Sequence, residues 1–208
     1  MDNWITWINQ IKAISQIGQT YSKDIFDLER YRQLSDIANA MYAQITDVPV
    51  EKVENFFIPD KGYATAKVDL RAGIFRENKV LLVREKRDHK WALPGGWADV
   101  GETPKQGIVR EVLEETGYSI EVIRLIAIRD QSMHGYVPRY PVHVYKMMFL
   151  CKMKGHTLNK AFENSEILES RFFHLSTLPD LSKGTTLEED ILLLRTYEQE
   201  PTKLVYCD

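Results

Sequence analysis

An α/β fold in two parts is what the sequence predicts: a small all-α segment over residues 1–62, then an α/β domain over residues 63–208 with helices layered around a sheet. Three observations predict it. Apolar residues recur at helical spacing through the first 60 or so positions. Past the proline and glycine of IPDKG, residues 58–62, the texture changes to short runs rich in Val, Ile, Leu and Phe. Finally, a sharply punctuated helix near residues 104–116 stands among those runs, so strands and helices interleave.

In order along the chain, Trp4, Trp7, Ile8, Ile11 and Ile14 make one amphipathic helix, and Leu28, Tyr31, Leu34, Ala38, Met41, Tyr42 and Ile45 make a second after the polar QTYSKD. Pro49 interrupts, and VEKVENFF offers a short third. So small a piece buries little surface by itself. Its apolar stripes must pack on the rest of the chain or on a second copy, which makes a homodimer one expectation and plain core packing the other. KVDLRAGIF and KVLLVRE then flank Arg76-Glu77-Asn78 as a hairpin. IEVIRLIAI, HVYKMMFLCKM and SRFFHL are further strands; the second alternates Met147, Phe149 and Cys151 against Lys146, Met148 and Leu150. TTLEEDILLLRTYEQ closes as a helix, with Thr186 and Glu189 spaced as a capping box.

Bulk composition excludes several function classes. A formal charge of −3 and a pI near 6.0 supply no basic field for nonspecific nucleic-acid or membrane binding. No apolar run approaches the roughly 18 residues needed to span a bilayer. Cys151 and Cys207 have no metal-type spacing, and MDNWITWINQ lacks a basic region followed by an apolar one, so a reduced, cytoplasmic setting is expected.

The chemistry concentrates in GGWADVGETPKQGIVREVLEETGY, residues 95–118. Thr103 is a good N-cap, Pro104 suits the first helical position and Gly117 the position past the end. At about 100° per residue, Ile108, Val109, Val112 and Leu113 share one arc; Arg110, Glu111, Glu114 and Glu115 share the opposite one, with Gly107 among them. Like charges three and four apart repel, so a purely solvated face would intersperse lysines. Gly107 costs helix stability and leaves a bare patch where a loop or ligand can approach Glu111. PGGW precedes the helix closely enough to fold over that face. Carboxylates plus backbone carbonyls form an all-oxygen set suited to Mg2+ or Mn2+, and a divalent ion would offset the repulsion.

These residues resemble the Nudix box, G-x5-E-x7-R-E-U-x-E-E-x-G-U with U a bulky aliphatic. Gly96, Glu102, Arg110, Glu111, Val112, Glu114, Glu115 and Gly117 stand at the required distances; only the last position departs, where Tyr118 replaces an aliphatic. The resemblance covers roughly residues 66–200. It implies an α/β/α sandwich with a mixed sheet and hydrolysis of a nucleoside diphosphate linked to a further group. It also implies metal binding by the Gly96 carbonyl, Glu111 and Glu115, with Glu114 joining directly or through water. Arg110 would hold these carboxylates, and Glu102 would brace the loop against the helix. A general base is placed by such enzymes either in the box or in a late loop, where Glu163 and Glu166 are the candidates. Arg71, Arg84 and Lys86 are candidate phosphate or substrate cations, with an ordinary surface charge as the alternative for each, and Trp97 is a candidate stacking face or simply closes the loop.

The N-terminal extension, with YSKDIFDLERYRQLSDIANAMYA, is similar to that of a two-domain Nudix group including CDP-choline pyrophosphatases. CDP-choline, cleaved to CMP and phosphocholine, is therefore the expected substrate, with ADP-ribose the competitor. Two other classes compete. A nuclease or RNA-end hydrolase would want a basic aromatic groove, for which HGYVPRYP offers only a small cluster. A non-catalytic sensor would typically lack box glutamates, and none is missing.

Overall fold

The computed structural model describes residues 2–46, 49–50, 53, 62–140, 142–158 and 166–208. The chain divides into two compact units, Met1–Ala66 with Pro138–His143, and Lys67–Val137 with Val144–Asp208. Residues 63–66 and a short loop between two strands thus group with the helices, beyond the 1–62 span drawn from the sequence. The proposed third helix and the IPDKG linker fall mostly outside the described residues.

In the first unit, α1 (Asp2–Tyr21) and α2 (Ile25–Thr46) are joined by a short turn at residues 22–24, where Asp24 Oδ1 accepts from the amides of Phe26 and Asp27 at 2.9 and 3.0 Å. Ile8, Ala38, Tyr42, Ala43 and Val53 form a small core. Polar bonds stitch the helices together: Ser15 Oγ donates to the Tyr31 carbonyl, and Lys12 Nζ to Ser35 Oγ and Asn39 Oδ1. The first stripe splits. Ile8 is buried, whereas Trp4 and Trp7, packed edge to face at 5.3 Å, and Ile14 remain about half exposed.

The second unit is a seven-stranded mixed sheet with helices α3 (Pro104–Thr116) and α4 (Glu188–Gln199). The strands are β1 (Lys67–Arg76), β2 (Lys79–Glu85), β3 (Trp91–Ala92), β4 (Tyr118–Asp130), β5 (Val144–Leu158), β6 (Ile167–His174) and β7 (Tyr206–Cys207). Their order is β3-β2-β1-β5-β4-β7, with β6 also on β2; β1 pairs β5 and β4 pairs β7 in parallel, the rest antiparallel. Glu77, at φ 57°, turns the predicted β1–β2 hairpin.

Two cores lie on the sheet. Leu70, Ala72, Ile74, Phe149 and Cys151 pack with Ile108 and Val112 of α3. Val80, Leu82, Met148 and Leu150 pack with Ile191 and Leu194 of α4. The alternation read in β5 is therefore real, yet both of its sides are covered, as expected of a central strand between layers. One boundary differs from the sequence expectation. The N-cap of α4 is Leu187, whose amide donates to Asp190 Oδ2 at 2.7 Å, and Thr186 instead accepts from the Leu93 amide at 2.9 Å. A tertiary partner has taken the hydroxyl that the local pattern assigned to the cap.

Candidate active site

Helix α3 begins and ends where its sequence dictates. Thr103 Oγ1 accepts from the Gln106 amide at 3.2 Å while Gln106 Oε1 accepts from the Thr103 amide at 2.9 Å, closing a capping box. Gly117, at φ 70°, donates to the Leu113 carbonyl. Ile108 and Val112 are fully buried against β1. Gly107 is not a bare patch beside Glu111: it is buried, and a Cβ there would stand 2.7 Å from Leu70 Cδ1. Its role is to let the helix close on the sheet.

The open space beside Glu111 comes from the loop instead. β2 pairs with β1 only at Phe75 and Arg76; toward the start of β1, residues 94–98 take over the free edge. Ala72 N–H donates to the Pro94 carbonyl (2.9 Å), Leu70 N–H to the Gly96 carbonyl (2.8 Å) and Ala98 N–H to the Val68 carbonyl (2.9 Å). Gly95 has φ 137° and its Cα faces the Leu70 carbonyl so closely that no side chain fits. Its amide donates to Glu115 Oε2 at 2.7 Å. A Cβ on Gly96 would sit 2.9 Å from Glu111 Oε2. The two glycines therefore bring backbone against both carboxylates.

Arg110 organises the acidic arc. Its Nε donates to both oxygens of Glu102 (3.0 and 3.1 Å), and Nη1 to Glu111 (2.9 Å) and Glu114 (3.1 Å). Nη2 lies 3.2 Å from Asp99 Oδ2 without hydrogen-bond geometry, a charge contact only. Glu115 is turned inward. Burial pushes its carboxyl up to about 8, opposed by the Arg71 charge and the Gly95 amide and reinforced by Glu111 and Glu85. Burial also raises Glu111, against the pull of Arg110.

The remaining candidates separate. Arg71 is buried, its guanidinium clamped on Asp69 and on the Leu93 carbonyl (3.0 Å), so it is not a surface cation awaiting phosphate. Arg84 donates to the His89 carbonyl at 2.9 Å and pairs with Glu169 at 3.4 Å. Lys86 is tied through its amide to the Glu166 carbonyl at 2.8 Å, joining two of the predicted positions by backbone. Trp97 is 39% exposed and bridges Asp69 across the loop–β1 pairing. Glu163 lies outside the described residues. Three neighbours went unread in the sequence. Glu85 adds a like charge that raises Glu115, and is held by Arg87 (2.5 Å), Ser182 (3.2 Å) and Thr185 (3.4 Å). Asp69 and Lys146 pair with each other in the interior; the available signal was a charge at an inward position of each strand.

Among the described residues, no three His, Cys, Asp or Glu side chains are gathered as a ready metal cage. The donor chemistry nevertheless fits a hard cation. Glu111 and Glu115 are carboxylates whose burial penalises their charge, and Gly96 is bare beside Glu111, with a second lone pair left on its carbonyl. Glu114 is half exposed and pairs with Arg110 at 3.1 Å.

Known proteins share this architecture. A family model described as the NUDIX domain matches residues 68–194, and one described as a UDP-X-like, N-terminal oligomerisation domain matches residues 2–57. YjhB of Bacillus subtilis (strain 168), which carries a provisional name as an ADP-ribose pyrophosphatase, is 36% identical over 205 residues, 99% of this chain and 97% of that one. The crystal structure of a UDP-X diphosphatase superposes with a TM-score of 0.62 at 33% identity, covering 99% of this chain and 98% of that one. An ADP-ribose pyrophosphatase from Streptococcus suis reaches the same TM-score at 38% identity, covering 69% of this chain and all of the other.

Proposed function

The chain belongs to the Nudix hydrolase superfamily and is a pyrophosphohydrolase of nucleoside diphosphate derivatives; from that premise we propose that Glu111, Glu115 and the Gly96 carbonyl hold Mg2+ or Mn2+, with Glu114 joining directly or through water. The observation that carries this reading is the pair of glycines that bring backbone against Glu115 and Glu111. When bound, such an ion drains charge from the phosphate oxygens and lowers the pKa of coordinated water. The protein's own part is positional. Arg110 keeps Glu102, Glu111 and Glu114 from repelling one another apart, and Glu102 ties the loop to the helix that carries the glutamates. Glu166 is the described candidate for proton acceptor.

For the substrate we propose a pyrimidine nucleoside diphosphate carrying a further group, CDP-choline first. Its support is the helical extension together with likeness to a UDP-X diphosphatase along the whole chain. A quaternary ammonium cannot donate a hydrogen bond and needs aromatic or carboxylate faces; Trp97 is the exposed aromatic beside the glycine loop. ADP-ribose is the second reading, favoured by the names of the Bacillus and Streptococcus relatives. Catalytic efficiency on CDP-choline, a UDP-sugar and ADP-ribose at equal Mg2+ separates them. A clear preference for ADP-ribose removes the pyrimidine reading and leaves the pyrophosphohydrolase standing.

The exposed Trp4, Trp7, Ile14, Ile25 and Phe26 of the helical unit support a homodimer through that unit. Light scattering should return about twice the 24.2 kDa chain mass; a monomer at working concentration ends that proposal.

A further inference from the structure

Charges held away from water persist where they are paired. Asp69, Arg71 and Lys146 are 3%, 5% and 0% exposed. Asp69 and Lys146 are register partners on β1 and β5, and Arg71, two residues along β1, points to the same side as Asp69. Arg71 Nε donates to both Asp69 oxygens at 3.1 Å and Nη2 to Oδ1 at 2.8 Å, while Lys146 Nζ takes Oδ2. One carboxylate thus serves two cations. The next buried carboxylate, Asp190, is already taken by Arg129 and the Tyr136 hydroxyl. Burial, opposed by Asp69 and reinforced by Arg71, holds the Lys146 ammonium below its usual range, so Arg71 is the standing positive charge of the cluster.

Beyond Asp69, the carboxyls of Glu115 and Glu85 act on the Arg71 charge. Glu85 has its own partners in Arg87, Ser182 and Thr185, whereas Glu115 accepts from the Gly95 amide. The remaining donor of the fork, Nη1, reaches the Leu93 carbonyl at 3.0 Å, just ahead of Pro94 and the two glycines. Arg71 also lies between Leu70 and Ala72, whose amides hold the Gly96 and Pro94 carbonyls. A guanidinium with every edge engaged has one orientation; a lysine there would keep the charge and lose the fork.

We propose that Arg71 is a positioning residue of the catalytic centre: clamped by Asp69, it fixes the Leu93–Gly96 loop through the Leu93 carbonyl and holds its own charge toward Glu115. This rests on the metal-dependent reading above and names a residue outside the box on which the box depends. It replaces the role of Arg71 as a phosphate contact.

Arg71→Gln leaves the Asp69–Lys146 pair balanced and should fold, which circular dichroism and a thermal melt check first. Mn2+ titration read by electron paramagnetic resonance of the free ion, and kcat and KM on whichever of CDP-choline, a UDP-sugar or ADP-ribose the wild type cleaves fastest, follow below the melting temperature. Loss of a residue that orients metal ligands weakens affinity about 10- to 100-fold, and that loss is expected here, with kcat falling and KM nearly unchanged. Arg71→Lys should recover Mn2+ affinity relative to Arg71→Gln while kcat stays low; should Arg71→Gln fail to fold, low kcat with unchanged KM in Arg71→Lys carries the test. A folded Arg71→Gln, or an Arg71→Lys, that binds Mn2+ and turns over within twofold of wild type overturns the inference and leaves the pyrophosphohydrolase standing, even if melting is lowered. A wild type that neither binds Mn2+ nor cleaves any of the three removes the reading and the inference together.

Discussion

On one side of β1, Leu70, Ala72 and Ile74 pack against α3, whose Arg110 gathers Glu111 and Glu114 of its outer arc and Glu102 of the preceding loop; on the other, Asp69 and Arg71 meet Lys146 inside the sheet. The first cluster gathers three carboxylates on one cation, the second two basic side chains on one carboxylate. Their surroundings decide what each imbalance can do. The arc is partly wet, so solvent and a bound ion can make up the deficit. The interior cluster is buried, so its balance is met within the protein, and burial there pushes the Lys146 ammonium down. Glu115 lies where the two imbalances meet. A variant that alters either side therefore tests whether they complement each other.

The largest effect is expected at that junction. Glu115→Gln should lower kcat by at least about 100-fold, the upper range for residues that merely support a ligand, in a steady-state assay with Mg2+. Undiminished turnover would disconnect the clusters from catalysis. Stability should move the other way. The Glu115 carboxyl sits near 8 in the fold against an ordinary 4.5, so metal-free wild type loses stability as pH rises through that interval, and the glutamine does not titrate. The melting-temperature difference between the variant and wild type should widen from pH 5 to pH 8 in EDTA and narrow when Mg2+ is added. By the same proton, Mn2+ affinity of the wild type should rise between pH 6 and 8, as a calorimetric titration would register; a flat profile would mean Glu115 is not a ligand.

A smaller loss is expected on the wet side. Arg110→Gln removes the common donor of Glu102, Glu111 and Glu114 and should destabilise the apo protein by about 1–2 kcal/mol in urea melts. Saturating Mg2+ should return part of it, since an ion can substitute for the missing cation. Smallest is Thr103→Ala, which removes the cap of α3 at about 1 kcal/mol and leaves turnover per folded molecule intact.

Much of the acidic side was legible in advance, because it is local. Thr103, Pro104 and Gly117 mark the helix by rules acting within a turn, and the spacing of Glu111 to Glu115 fixes their arc without knowledge of any partner. The interior cluster was not. Asp69 and Lys146 meet through the pairing of β1 with β5, 77 residues apart, and nothing in either strand alone announces the register. Arg71 looked like a surface cation for the same reason. Gly107 was misread as space for a ligand because a wheel shows faces without showing how closely a neighbour packs; the structure puts Leu70 there. Thr186 was lost to the Leu93 amide, a partner 93 residues away.

The pairing of residues 94–98 with β1 has a consequence for the thermodynamics of ligand capture. A loop held to a sheet edge by the Pro94 and Gly96 carbonyls and the Ala98 amide has little backbone entropy left to lose. The amide proton of Ala98, and those of Leu70 and Ala72 opposite, should exchange with deuterium only when that part of the sheet opens, on the slow side of the domain rather than with its loops. Binding an ion should then change their exchange little, and the calorimetric entropy of binding should be dominated by released water rather than by ordering of the chain.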